Sequence, residues 1–329
     1  MSGPAPAVAL VRHAVREFFG APGRTALLSG GQLCVAVSGG ADSLALAEAA
    51  AHVGHRLGVR VRALVVDHRL QDTSAEVAAA AAAAARKLGV DDATVLPVTV
   101  DGPGGPEAAA RRARYAALRE AAGQAPVLLG HTRDDQAETV LLGLGRGSGP
   151  RSVSGMRPLD PPWVRPLLDV PRSITREACE ALGVRPWADP HNEDPRFTRV
   201  RLRSEVLPLL EDVLSGGVAA ALARTAAQLR EDSEALDQLA DELLLPARNG
   251  PTLDIEPLLG APAALRRRAL RRWLLDLGAR DLTDAHLRAV DALISAWRGQ
   301  GPVWLPGRLE AKRAHGRLAV GPPGPSKGE

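Results

Sequence analysis

The stretch Leu33-Cys34-Val35-Ala36-Val37-Ser38-Gly39-Gly40-Ala41-Asp42-Ser43 joins a compact apolar run to a glycine pair and then to a polar helix start. The run Leu33 to Val37 fits a strand buried on both faces. From Ser43 to Leu57 the apolar residues recur at helical spacing. Adjacent glycines let the backbone turn tightly and approach an anion closely. The helix that follows aims free amides and the positive end of its dipole at that anion. Ser38 and Ser43 add hydroxyl donors. Asp42 would repel a bare phosphate, so it implies a divalent cation, Mg²⁺. A glycine pair alone would be an ordinary strand-to-helix turn. Two hydroxyls and a carboxylate at fixed positions favour phosphate binding. The loop has no lysine and is not of the G-x-x-x-x-G-K-[ST] type.

Outward from this loop the pattern repeats. Val59 to Val66 is a β-branched run, followed by a helical pattern over Ser74 to Leu88. Thr94 to Val100 reads as a third strand, and Glu107 to Ala122 as the next helix beyond the breaker Asp101-Gly102-Pro103-Gly104-Gly105-Pro106. Val127 to Gly130 and Asp134 to Leu144 complete a fourth pair, and a short amphipathic helix over residues 6 to 19 precedes them all. Four strand–helix alternations predict an α/β fold with a mostly parallel sheet and helices on both faces. Ligands in such sheets bind at the carboxyl ends of strands. The segments after Val37, Val66 and Gly130 all fall there.

Gly145 to Pro162 is rich in glycine and proline and reads as a loop. Two helical segments lie within 172 to 211, around a polar turn. The break Leu214-Ser215-Gly216-Gly217-Val218 sets a domain boundary, giving a catalytic domain over 1–215. A smaller, all-helical domain is expected over 216–321, wholly helical from Ala219 to Trp297 and closed by a short hairpin over Trp304 to Val320. Residues 322–329 read as a disordered tail.

The chain has 329 residues, 45% of them apolar but only 3% aromatic, so its core must be built from Leu, Val and Ala. Its formal net charge of +3 permits a nucleic-acid partner without requiring one. The two cysteines, Cys34 and Cys179, are too few and too far apart for a disulfide framework or a zinc knuckle. Arg12 and Arg16 interrupt the first apolar stretch, so no signal peptide fits. No apolar run reaches membrane-spanning length. A cytoplasmic protein with no membrane partner is expected.

The loop Ser38 to Ser43 resembles the pyrophosphate loop of the N-type ATP pyrophosphatases, whose fold is adenine nucleotide alpha hydrolase-like. Further stretches narrow the resemblance: Val66-Asp67-His68-Arg69-Leu70; the helix opening Glu107 to Tyr115; His131-Thr132-Arg133-Asp134-Asp135-Gln136-Ala137-Glu138-Thr139; and Trp187 to Asp194 followed by Arg199, Arg201 and Arg203. Over residues 30 to 210 they resemble, in this order, the tRNA(Ile)-lysidine synthase family. The resemblance implies ATP and Mg²⁺ as cofactors, and L-lysine and an isoleucine tRNA with a CAU anticodon as partners. The implied reaction adenylates the C2 oxygen of the wobble cytidine, and lysine then displaces AMP.

The implied site has several parts. Ser38, Gly39, Gly40, Ala41, Asp42, Ser43, Asp67, His68 and His131 would bind ATP. Asp42 and Glu138 would hold the metal. Asp135 and Glu138, three apart on one helix face, would hold lysine. Arg111, Arg114, Arg199, Arg201 and Arg203 would touch tRNA, with Asp135, Arg111 and Arg203 catalytic. Asp134 points partly away, to cap the helix or touch nucleotide. If residues 199 to 203 are helical, Arg199 and Arg203 share a face. The arginine-rich helix 263 to 277 reads equally as a tRNA grip and as a solvated face. A homodimer is compatible with all of this. The alternatives are a tRNA thiolase, which would need cysteines at the site, an amide-forming synthetase, and a catalytically inactive tRNA-binding protein.

Overall fold

The computed structural model describes residues 3–69, 73–102, 105–147, 149–189 and 194–322. Leu70, the centre of the polar turn (Pro190 to Glu193) and all of the expected tail but Pro322 lie outside them. The chain divides into two compact units, up to Ala227 and from Gln228 onward.

The first unit opens with α1 (Pro6–Gly20) and alternates β1 (Gln32–Ala36), α2 (Ala41–Arg56), β2 (Arg60–Asp67), α3 (Ser74–Lys87), β3 (Asp92–Pro97), α4 (Gly105–Ala122), β4 (Val127–Leu128) and α5 (Arg133–Gly145). The expected loop beyond α5 instead carries a helical turn, α6 (Pro150–Val153), and two short strands, β5 (Leu159–Asp160) and β6 (Trp163–Val164). Then come α7 (Arg172–Ala181), α8 (Thr198–Arg201), a π turn over Leu202–Val206 and α9 (Leu207–Val213). The sheet order is β3-β2-β1-β4-β6-β5, parallel except for the edge strand β5.

Strand β1 shows why both faces are covered. Leu33, Val35 and Val37 point into a core shared with α1, α2, α3 and α7. Cys34 and Ala36 point the other way, to Leu118 of α4 and Trp163. Period-two alternation with both sides apolar is what a buried parallel strand requires. The order reverses at β1, with β2 on one side and β4 on the other. The loop after β1 therefore sits at the switch point, where open α/β sheets bind ligands.

Helix α10 (Val218–Ala247) runs past the division between units. The second unit continues with β7 (Arg248–Asn249), β8 (Thr252–Asp254), α11 (Glu256–Leu259), α12 (Ala263–Asp276), α13 (Asp284–Ser295), β9 (Val303–Leu305), β10 (Leu309–Ala314) and β11 (Arg317–Gly321). It is not all-helical. The expected hairpin is part of a five-stranded antiparallel sheet, β7-β8-β11-β10-β9, two of whose strands interrupt the region expected to be helical throughout. The turn Asn249-Gly250, with Gly250 at φ 57°, folds β7 onto β8. Trp273, Leu274, Leu293, Leu253 and Leu318 meet in the core. Arg266 belongs to neither of its expected roles. It is buried, with Nε and Nη2 donating to Asp291 at 2.5 and 3.2 Å and Nη1 to the Ala261 carbonyl at 2.9 Å.

Candidate active site

The loop after β1 is locked by its own side chains. Ser43 Oγ accepts from the Ser38 amide at 3.1 Å, lies 3.2 Å from the Ser38 hydroxyl, and donates to the Gly40 carbonyl at 2.9 Å. Gly39 adopts φ 84°, a conformation that strongly favours glycine. Its carbonyl accepts from the Trp187 amide at 2.9 Å, pinning the segment before the polar turn onto the loop. Gly40 caps α2 with its amide end left open, and Asp42 lies in the first turn.

A continuous cleft runs from this loop. One part, of about 220 Å³, is lined by Val37, Val66, Asp67, His68, Val77 and Trp187. The other, of about 1260 Å³, is lined by Gly40, Asp42, His131, Asp135, Arg172 and Arg203. Ser38, Arg114 and Trp187 border both parts. The smaller part, apolar-walled with polar groups at its rim, suits a nucleobase. The larger opens on charged groups.

The acidic corner sits on α5. Asp135 Oδ2 accepts from the amide and hydroxyl of Thr132 at 2.8 and 2.9 Å, closing the helix start. Its other oxygen accepts from Arg172 Nη2 at 2.5 Å. Glu138 is fully buried. Its Oε1 accepts from Arg203 Nε at 2.8 Å and from Arg172 Nη1 at 3.5 Å. Its Oε2 lies 3.6 Å from Arg199 Nη1 and has no hydrogen-bond partner among the described residues. Asp42 Oδ2 is 3.4 Å from Arg172 Nε, and its Oδ1 accepts from the buried Thr175 hydroxyl. Asp134 does cap a helix, but not its own: it accepts the Arg172 amide at 2.9 Å, at the start of α7.

Electrostatics follow from burial against charge. Burial pushes the Asp135 carboxyl up, but Arg172 and the Thr132 amide outweigh it and hold it below the ordinary range. For Asp42 burial wins over Thr175 and Arg172, and the pKa is raised. Arg172 is itself buried, which works against its charge, yet Asp135, Asp42 and Glu138 hold its pKa above the ordinary value. His131 is pushed down to about 3 by burial, so it is neutral at physiological pH, and its Nδ1 has no partner among the described residues. Burial and then Arg114 lower His68, whose Nδ1 is likewise unpartnered among the described residues. Asp67 accepts the Arg69 amide at 3.0 Å.

The structure thus gathers Asp42, Asp135, Glu138, Arg199 and Arg203 around one corner, with His131 and Arg114 on the cleft wall. Arg199 and Arg203, four apart on the helical stretch, both reach Glu138. Arg201 points elsewhere, to Glu205 at 2.8 Å. Arg111 is exposed, its guanidinium 4.9 Å above the Tyr115 ring. Two central residues, Arg172 and Thr175, escape sequence reasoning. A signal existed: Arg172 follows Pro171 at a helix start, where the dipole disfavours a cation.

A twisted parallel sheet with a pyrophosphate-type loop at its switch point defines a PP-loop ATP-binding domain, and the PP-loop domain model matches residues 11–210. The TilS substrate binding domain model matches residues 253–319. The chain is 57% identical over 321 residues to the tRNA(Ile)-lysidine synthase of Rhodococcus erythropolis (strain PR4 / NBRC 100887), covering 96% of each. It is 58% identical to that of Nocardia farcinica (strain IFM 10152), covering 94% of this chain and 97% of the relative. It therefore belongs to the tRNA(Ile)-lysidine synthase family, a family of ligases acting in tRNA modification. Its fold is also similar to the U34-tRNA thiolase NcsA from Methanococcus maripaludis, with a TM-score of 0.56, 18% identity and coverage of 68% of this chain and 80% of that one.

Proposed function

We propose that this chain ligates L-lysine to C2 of the wobble cytidine of an isoleucine tRNA with a CAU anticodon. ATP adenylates the C2 oxygen and releases pyrophosphate. The lysine ε-amine then displaces AMP, and the lysidine formed moves codon reading from AUG to AUA. The observation that carries this reading is the shared cleft: the phosphate loop, Asp135 and Arg203 line one volume. An adenylated base and an incoming amine need to meet in such a place.

The residues divide the work as follows. Loop amides and the start of α2 hold the phosphates. Asp42 would hold Mg²⁺ together with phosphate oxygens, since one carboxylate plus phosphates is a usual Mg²⁺ set. Bound there, the ion would neutralise charge on the leaving pyrophosphate. Glu138 is the second candidate ligand, although Arg172 lies between it and Asp42. His131, neutral, borders the nucleotide without adding charge. Arg203 and Arg111 would meet charge developing on the α-phosphate or the tRNA backbone. Asp135, held ionised on the cleft wall, suits anchoring the lysine ammonium, and Glu138, fully buried behind it against Arg203 and Arg172, is the second lysine-site carboxylate of this proposal. Arg114, Arg199 and Arg201 are the further tRNA contacts of this proposal, which also takes the protein to be cytoplasmic and compatible with a homodimer.

Sulfur transfer fits poorly. Cys34 is buried in β1, and Cys179, near the loop at the Ala41 carbonyl, is pushed up to about 11 by burial. A buried thiol with a raised pKa is a poor nucleophile. The test is incubation with ATP, Mg²⁺, labelled lysine and an isoleucine tRNA bearing CAU. Label is expected in the tRNA, at the wobble base. Folded protein that leaves the tRNA unlabelled would remove the reading.

A further inference from the structure

Arg172 stands among three carboxylates contributed by two helices, α2 and α5. Its three guanidinium nitrogens each face a different one: Nε to Asp42 at 3.4 Å, Nη2 to Asp135 at 2.5 Å and Nη1 to Glu138 at 3.5 Å. The side chain is only 10% exposed, and Glu138 is fully buried. Its backbone is fixed as well, because its amide donates to Asp134. Without Arg172, buried Glu138 and half-buried Asp42 and Asp135 would face one another, with the more exposed Arg203 (34%) and Arg199 (40%) pairing with Glu138 and, for Arg203, Asp135, and neither reaching Asp42 among the described ion pairs. Such an array strongly attracts a cation. With Arg172 present, among the described residues no three acidic, His or Cys groups converge within metal-ligand reach. The planar fork is too large to let the oxygens close on a small ion.

We propose that Arg172 is a positioning residue that stands in for a cation: it keeps the carboxylates of the acidic corner spaced and the corner free of divalent metal until the metal arrives with ATP. This rests on the reading that Asp42 takes its metal together with the nucleotide. A second feature points the same way. Glu138 Oε2 is buried, 3.6 Å from Arg199 Nη1 and without a hydrogen-bond partner among the described residues, so the corner retains an acceptor that makes no hydrogen bond. A metal bound there in the resting protein would tie up this carboxylate before nucleotide arrives. Arg172 prevents this while leaving the acceptor open.

The test is equilibrium titration of the full chain with Mn²⁺, read by electron paramagnetic resonance of free Mn²⁺, with and without a non-hydrolysable ATP analogue. Wild type is expected to bind Mn²⁺ only with the analogue. Arg172→Gln is expected to gain one Mn²⁺ site without nucleotide, about ten-fold or more tighter than anything wild type shows, and Arg172→Lys, which keeps the charge, is expected not to. Nucleotide-free wild type that binds one Mn²⁺ as tightly as it does with the analogue would overturn the proposal, and this holds even if the variant does not fold. Folded Arg172→Gln that binds no Mn²⁺ without nucleotide would also overturn it. None of these readouts involves lysine or tRNA, so they stand apart from the failure of lysine incorporation.

Discussion

Gly130, at the carboxyl end of β4, lies directly against the first turn of α2: a Cβ at this position would stand 3.0 Å from the carbonyl carbon and oxygen of Asp42 and 3.1 Å from the Ser43 nitrogen. The neighbours are backbone atoms, so they cannot rotate away. Gly130→Ala must displace the helix start that aims amides at phosphate. The expected cost is about 1–3 kcal/mol of stability and an ATP affinity weakened about ten-fold or more. Nucleotide binding by calorimetry checks this, with Gly123→Ala, which meets no neighbouring atom within 4 Å though it sits at φ 60°, as a comparison for the stability term alone.

Asp42 joins the loop, Thr175 and Arg172. Asp42→Ala is expected to lower AMP release in the presence of tRNA and lysine about 10³-fold. Normal turnover by the variant would remove Asp42 from the metal assignment.

The arginines of the α8 region separate by what they touch. Arg203→Ala strips the 2.8 Å partner from buried Glu138 and is expected to lower lysine incorporation about 10²-fold or more. Arg201→Ala breaks only an exposed pair with Glu205 and is expected to change stability by less than about 0.5 kcal/mol. Equal stability losses for the two variants would contradict this division.

His131 makes the first unit acid-sensitive in a defined window. Its folded pKa of about 3 lies below the ordinary histidine value. Between the two, the unfolded chain binds the proton and the folded chain does not, so stability rises with pH and is lost as pH falls below about 6.5. From pH 7 to pH 5 the loss attributable to this residue is about 2 kcal/mol. Denaturant titrations at the two pH values should show this difference shrinking in His131→Asn.

In the second unit, Arg266→Ala leaves Asp291 buried without its partner and should cost about 3–5 kcal/mol. Replacing both, as Arg266→Met with Asp291→Leu, should cost clearly less than the single change. Denaturation midpoints of the full chain compare them.

The long periodic segments were legible before any coordinates. Apolar runs such as Leu33 to Val37 and the helical spacing beyond Ser43 announce β1 and α2, and the glycine pair between them marks the switch point. The pairs too short to show a period were not. Trp163–Val164 joins the sheet through two residues, and Arg248–Asn249 pairs with Thr252–Asp254 inside a stretch otherwise helical. Asp135 and Glu138 could be read because their spacing places them on one helix face. Arg172 could not, because its meaning depends on α7 being laid beside α2 and α5, and nothing local to Pro171-Arg172-Ser173 encodes that neighbour. Only its presence where a helix start disfavours a cation hinted at a tertiary cause.

The bond from the Trp187 amide to the Gly39 carbonyl, with those from Arg172 and Thr175 to Asp42, has a consequence for the order of assembly. Domains emerge from the ribosome amino end first, at about 5–20 residues per second. A nascent chain that has cleared only α5 owns the loop, Asp42, Asp135 and Glu138, but not Arg172, Thr175, Trp187 or Arg203, which complete their bonding. Its acidic corner is then self-repelling, and its loop lacks its clamp. Nucleotide competence therefore arrives late in synthesis, once the segment through Trp187 is free to dock, so a truncated product ending before α7 carries the motif without the site.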